Sequence, residues 1–143
     1  MSARCNCSKF QFEAPKPQMV AVCHCKSCTR SGGSIGSFNA VVTLDDVKFS
    51  KGSIAEMSSY NDSDTDSGNT IVRHFCGTCG SALFSIPEKQ GEGAIGYLKV
   101  AALEDPDAYA PGANAVLFES RAPGFVRKAL NWPEGVQVMA RGS

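Results

Sequence analysis

Seven cysteines fall in three short clusters and nowhere else: Cys5-x-Cys7, Cys23-x-Cys25-x2-Cys28 and, after a gap of 47 residues, Cys76-x2-Cys79. Such crowding suits neither a disulfide framework nor an apolar core. Seven is odd, so the cysteines cannot all pair within one chain, and in a reducing compartment these spacings call for a metal before a disulfide. Thiolates bind Zn2+ at about 2.3 Å, usually in tetrahedral fours, and C-x-C and C-x2-C spacings let neighbouring sulfurs converge on one ion. The triple is one local unit and can bind alone. That leaves Cys5 and Cys7 to meet Cys76 and Cys79 across the fold. The four-plus-three division predicts a closed structural site that ties the N-terminal strand to a distant turn, and a three-ligand site with one position left for water or substrate.

His24 lies between two of these cysteines. Adjacent residues in an extended chain point to opposite sides, so Cys23 and Cys25 converge only if His24 points away. His74 precedes Phe75-Cys76 and reads as a strand-surface residue.

The rest of the chain reads as short strands. Phe10 and Phe12 alternate with polar residues in "KFQFEA" (9–14), the period-2 mark of a half-buried strand. Further strands are predicted at 18–22, 34–43, 81–86, 93–103 and 114–120, with 53–60 and 69–75 as a hairpin. Single helical turns are predicted at Lys26 to Ser31 and Gly124 to Leu130. Glycine and proline punctuate the chain as in all-β domains, and 143 residues fit one domain spanning 1–143. Fourteen basic and fourteen acidic side chains cancel, which argues against nucleic acid or an anionic membrane as partner. No segment approaches the ~20 apolar residues of a membrane helix. The opening MSARCNCSKF lacks a signal-peptide core, so the cytoplasm is the expected location. Oligomeric state leaves no mark on the sequence.

Two motifs are set aside. "GGSIGS" (32–37) lacks the Gly-Lys-Ser/Thr ending of a phosphate loop. It reads instead as backbone that can lie close to the triple. "DSDTDSG" (62–68) resembles a calcium loop, but its sixth position is Ser67 and its twelfth Arg73, where such loops need Gly and Glu. A solvated hairpin tip is expected there.

In the order "RCNC…VCHCKSCTRSGG…HFCGTCGSALF…GYLKVAALEDP…SRAPGF" the chain resembles the glutathione-dependent formaldehyde-activating family, also called the CENP-V/GFA domain. The resemblance implies a mainly β, Mss4-like β-tent stapled by zinc, with little helix. It implies a structural zinc on Cys5, Cys7, Cys76 and Cys79, and a second, catalytic zinc on Cys23, Cys25 and Cys28. It also implies carbon–sulfur lyase chemistry on glutathione adducts, with glutathione as substrate or co-substrate. The chain departs from the family where Thr29-Arg30 replaces two basic residues, and at Asn114-Ala115 and Gly124-Phe125, where a histidine and a tryptophan are common.

An open three-thiolate zinc suits thiol handling, because coordination deprotonates an incoming thiol that is otherwise mostly protonated at neutral pH. Such a thiolate adds to formaldehyde to give S-(hydroxymethyl)glutathione. Glutathione's two carboxylates call for cationic donors. Arg30, just beyond the triple, is the first candidate, followed by Lys26, Arg73 and Arg121. No general acid or base stands out. Two other readings share the residues: a lyase or isomerase for a larger thiol conjugate, and a zinc-stapled binding module of Mss4 or chromatin-associated type.

Overall fold

A computed structural model describes residues 1–109, 113–129 and 134–139. Among them are eleven strands and two α-helices, the mainly β and helix-poor class expected of an Mss4-like fold. Strands β1 (Ser2–Arg4), β2 (Gln11–Glu13) and β5 (Lys48–Lys51) form a small antiparallel sheet in the order β1-β2-β5. The large sheet comprises β3 (Met19–Cys23), β4 (Ser37–Thr43), β6 (Ser58–Asp62), β7 (Ile71–Phe75), β8 (Ala82–Pro87), β9 (Ile95–Lys99), β10 (Ala115–Leu117) and β11 (Gln137–Met139). Its order is β11-β10-β3-β4-β9-β8-β7-β6. Only β10 pairs in parallel, with β3 on one side and β11 on the other. Helix α1 (Lys26–Gly32) follows the triple, and α2 (Gly124–Ala129) follows β10.

The expected strands are present, but most are shorter than the apolar runs that announced them. Residues 54–56 form a 3-10 turn, so the hairpin partner of β7 begins at Ser58. Residues 100–102 also turn, which ends β9 at Lys99. Strands β1, β5 and β11 were not anticipated; with three or four residues each, they are too short to show a period. Leu130, the expected end of the second helical turn, lies outside the described residues.

Alternation along the large sheet separates two faces. Val20, Ala40, Leu98 and Phe84 stand opposite one another in successive registers and form one buried row. The small sheet packs against this row through Phe10 and Phe12, and Phe12 lies 5.0 Å from the Phe49 ring and 5.3 Å from Phe84. Each such phenylalanine contributes about 1.5–3 kcal/mol by leaving water. Gly52 permits this closeness: its φ is +70°, and a Cβ there would lie 2.6 Å from the Phe10 ring. The other face carries a second row, Met19–Val41–Tyr97–Ser85–Arg73, beside the shorter Ala21–Asn39–Lys99. That face is the floor of the site. No helix among the described residues is long and apolar enough to cross a membrane.

Candidate functional site

Two turns bring the first four cysteines together. Cys5 and Cys7 sit in the turn between β1 and β2, and Cys76 and Cys79 in the turn between β7 and β8. All four sulfurs lie within 4.8 Å of one another. Cys7 stands 3.6 Å from both Cys5 and Cys76, close to the roughly 3.8 Å edge of a tetrahedron with 2.3 Å bonds. The turns are shaped to bring their sulfurs together. Ser8 and Gly80 adopt positive φ, and Phe10 N–H donates to the Cys5 sulfur at 3.4 Å. Cys5 and Cys76 are fully buried. The donor set fits a closed zinc site.

Cys23, Cys25 and Cys28 form the second group, again with sulfurs within 4.8 Å of one another. Cys23 ends β3, Cys25 caps α1, and Cys28 lies in its first turn, donating its N–H to the Cys25 sulfur at 3.3 Å. His24 points the other way, its Nδ1–H donating to the Ile35 carbonyl at 2.8 Å. Its ring lies about where a side chain on Gly36 would sit, 2.9 Å from that glycine's notional Cβ, so the glycine-rich stretch accommodates His24. Phe118, buried and held at a φ of 55°, packs against Cys23 and Cys25 from the end of β10. A non-glycine residue in this conformation costs about 1–3 kcal/mol and concentrates at working sites.

The triple opens onto a cavity of about 520 Å³ above the polar face of the large sheet. None of the other four cysteines reaches it. The loop 65–70 between β6 and β7 also lines it; Ser67, Gly68 and Asn69 are exposed there, as expected of a solvated tip, and the loop is tied to the start of α1. Asp66 pairs with Arg121 at 2.9 Å and accepts from Lys26 N–H, and Ser27 donates to the Asp64 carbonyl.

Two cations flank the triple. Arg73 Nε donates to Asp62 at 2.7 Å, and its Nη1 donates to Ser85 at 3.3 Å and reaches the Cys28 sulfur at 3.9 Å. Burial opposes the Arg73 charge, but the Asp62 hydrogen bond and Cys28 outweigh it and raise the pKa. Lys99 Nζ donates to Asn39 Oδ1 at 2.7 Å and Ser37 Oγ at 3.1 Å; burial pushes its pKa down to about 8, partly countered by Cys28. Cys28 is correspondingly pulled down to about 2 by hydrogen bonds from Cys23 and Cys25 and by the charges of Lys99 and Arg73. The negative charge thus gathers on Cys28, while Cys23, through its hydrogen bonds to Cys25 and Cys28 and its burial, and Cys25 are both pushed up.

Of the cationic candidates named from the sequence, Arg73 lines the cavity. Arg30 is exposed in the last turn of α1, and Lys26 is exposed at its start; neither lines the cavity. Arg121 braces the loop through Asp66 instead of facing the cavity. His74 is half-buried on β7, with Nδ1 lacking a hydrogen-bond partner and its pKa lowered by burial. Lys99, Asn39, Tyr97 and Phe118 were not singled out. The signal for the first three was the period-2 split within 37–43 and 95–99, which separates them from Ala40, Val42 and Leu98. Phe118 left no such signal.

A model of the family described as glutathione-dependent formaldehyde-activating enzyme matches residues 1–120. No curated protein sequence matches the chain. A crystal structure of a Rhodobacter sphaeroides protein resembles it with a TM-score of 0.56 at 20% identity, over 79% of this chain and 98% of that one. This last likeness is one of fold alone.

Proposed function

The chain belongs to the glutathione-dependent formaldehyde-activating enzyme family, and from that premise we propose that it makes and breaks carbon–sulfur bonds between glutathione and an aldehyde carbon, forming S-(hydroxymethyl)glutathione from formaldehyde. In this reading Cys5, Cys7, Cys76 and Cys79 hold a structural zinc, and Cys23, Cys25 and Cys28 hold a second one. The observation that carries the proposal is the asymmetry of the two groups: all three cysteines of the triple line the cavity, and none of the four does. Three ligands would leave a tetrahedral ion one position, and the cavity beside these three cysteines offers room for a ligand.

When bound, zinc would supply the positive charge that keeps an incoming thiol deprotonated near neutral pH and directs its sulfur. The chain's own groups do the rest. Arg73, fixed by Asp62 and Ser85, holds Cys28 in place and offsets the charge that gathers on sulfur. Phe118 covers Cys23 and Cys25 and keeps water from them. The cavity extends along the sheet to Glu88 and Lys89, exposed just past β8, which offer both signs of charge to a zwitterionic tripeptide. Bringing sulfur and aldehyde together in one orientation is itself a large part of catalysis.

Calorimetric titration of glutathione into metal-loaded protein, beside Cys25→Ser, tests this. Binding is expected for the native chain and lost in the variant, with metal content falling from two ions per chain to one. Equal binding by both proteins would remove the triple from the reaction.

A further inference from the structure

Addition of a thiol to an aldehyde places negative charge on the carbonyl oxygen, and a group must accept or neutralise that charge. Arg73 is already committed to Asp62, Ser85 and Cys28. Lys99 is not committed in this way. It is 5% exposed, lines the cavity with the triple, and makes no ion pair with a carboxylate among the described residues. Its two partners, Asn39 Oδ1 and Ser37 Oγ, are neutral. Asn39 is itself fixed, since its Nδ2 donates to the Ser37 carbonyl at 2.8 Å and its Oδ1 also accepts from Ser37 Oγ. An ammonium has three N–H donors, so one remains for a ligand in the cavity. The position is also right: Ser37, bonded to Nζ, stands directly opposite Cys23 in the β3–β4 register. Such opposed side chains lie about 4.5–5.5 Å apart at Cβ.

We propose that Lys99 is a catalytic residue whose remaining N–H binds the aldehyde oxygen and passes its proton to that oxygen as the carbon–sulfur bond forms. The inference rests on the thiol-binding reading of the triple. A lone pair on the thiolate sulfur forms the new bond, the carbonyl π pair moves to oxygen, and the Nζ proton makes it a hydroxyl. Lys99 is left as the neutral amine and regains, through solvent, the proton the thiol shed on binding. In reverse, the amine takes the hydroxyl proton as the carbon–sulfur bond breaks. Substrate class follows: a carbon that bears both the sulfur and a hydroxyl, as in S-(1-hydroxyalkyl) thiols. Thioethers without that oxygen give Lys99 nothing to hold and are not turned over.

The test uses metal-loaded Lys99→Met and Lys99→Arg beside the native chain, with melting curves and metal content as checks on folding. Glutathione affinity by calorimetry is expected to change little in Lys99→Met. The rate of glutathione–formaldehyde exchange by NMR is expected to fall about 100-fold or more, the usual worth of a positioned acid–base group. Lys99→Arg should regain part of the rate, because a guanidinium donates a hydrogen bond but keeps its proton. A native rate in Lys99→Met would overturn the proposal. If the native chain neither binds glutathione nor speeds the exchange, the thiol-binding reading fails and takes the role of Lys99 with it.

Discussion

Replacing Asp62 with asparagine would leave Arg73 charged, buried and without its carboxylate. The pair is 2.7 Å apart, with side chains 9% and 11% exposed, so solvent screens it little. At that distance the attraction is about 6 kcal/mol for an effective dielectric of 20, set against the cost of desolvating both groups. Removing one partner from such a pair costs about 3–5 kcal/mol, because the other charge stays buried. In a chain of this size each kcal/mol is worth roughly 2–4 °C, so Asp62→Asn is expected to melt roughly 6–20 °C lower. Urea unfolding should show the same loss with the slope unchanged. Cys28 offers Arg73 a second anionic partner, which softens the loss. The double variant Asp62→Leu/Arg73→Met, with no charge to bury, should recover most of the stability. If Asp62→Asn melts within a degree or two of the native chain, Arg73 is solvated and free to swing. The ordered contact with Cys28, and the role given to Arg73, would then be wrong.

Cys76→Ser, which opens the fully buried four-sulfur set, is expected to unfold the chain, because a structural zinc contributes about 10–16 kcal/mol and a domain retains only about 5–15; near-UV circular dichroism reads this out. Cys28→Ser, at the cavity, should keep the native spectrum and lose thiol binding by calorimetry. Gly52→Ala must take a φ of +70° with its Cβ 2.6 Å from the Phe10 ring, so a thermal melt should show a loss of about 2–5 kcal/mol from backbone strain and overpacking together. Lys99 titrates at about 8 in the fold against 10.5 ordinarily, so its burial penalty is present in full below 8 and relieved as pH rises towards 10.5. The unfolded chain binds more protons in that window, so the native chain should gain about 3 kcal/mol on Lys99→Met across it. Urea unfolding on either side of the window checks this.

Ligand grouping was legible because thiolate spacing is a local property: C-x-C and C-x2-C each bring two sulfurs together whatever the fold does. The strands were legible because Phe10 and Phe12, or Ala40 and Val42, mark a buried face every second residue. What could not be read was the use of the opposite face. Lys99 and Tyr97 flank Leu98 on a strand, and nothing in that pattern shows that the loop 65–70 comes to line a cavity with them. The charge run in 62–68 marked an exposed tip but gave no sign that Asp66 also reaches Arg121 and the start of α1. Arg30 drew attention by adjacency to the triple along the chain. Arg73, 45 residues from Cys28, reaches its sulfur only because β7 lies where the sheet order puts it.

The two cysteine groups differ most in what stability alone can explain. Cys7 and Cys76 are 69 positions apart and sit on turns of different sheets, so joining them closes a long loop and fastens the small sheet to the large one. Cys23 and Cys28 close a loop of only a few residues that α1 already constrains. By loop-closure entropy alone the short link is worth about 2 kcal/mol less than the long one. Around the short link, the fold also bears two buried cations and a strained Phe118, each of them a cost. A group that adds little to stability and gathers destabilising neighbours is explained by what enters the cavity beside it. Arg73 makes sense there as a counterweight to an anionic ligand on sulfur and Lys99 as a proton donor to the oxygen beside it, and the four-sulfur group makes sense as what lets the rest of the fold tolerate them.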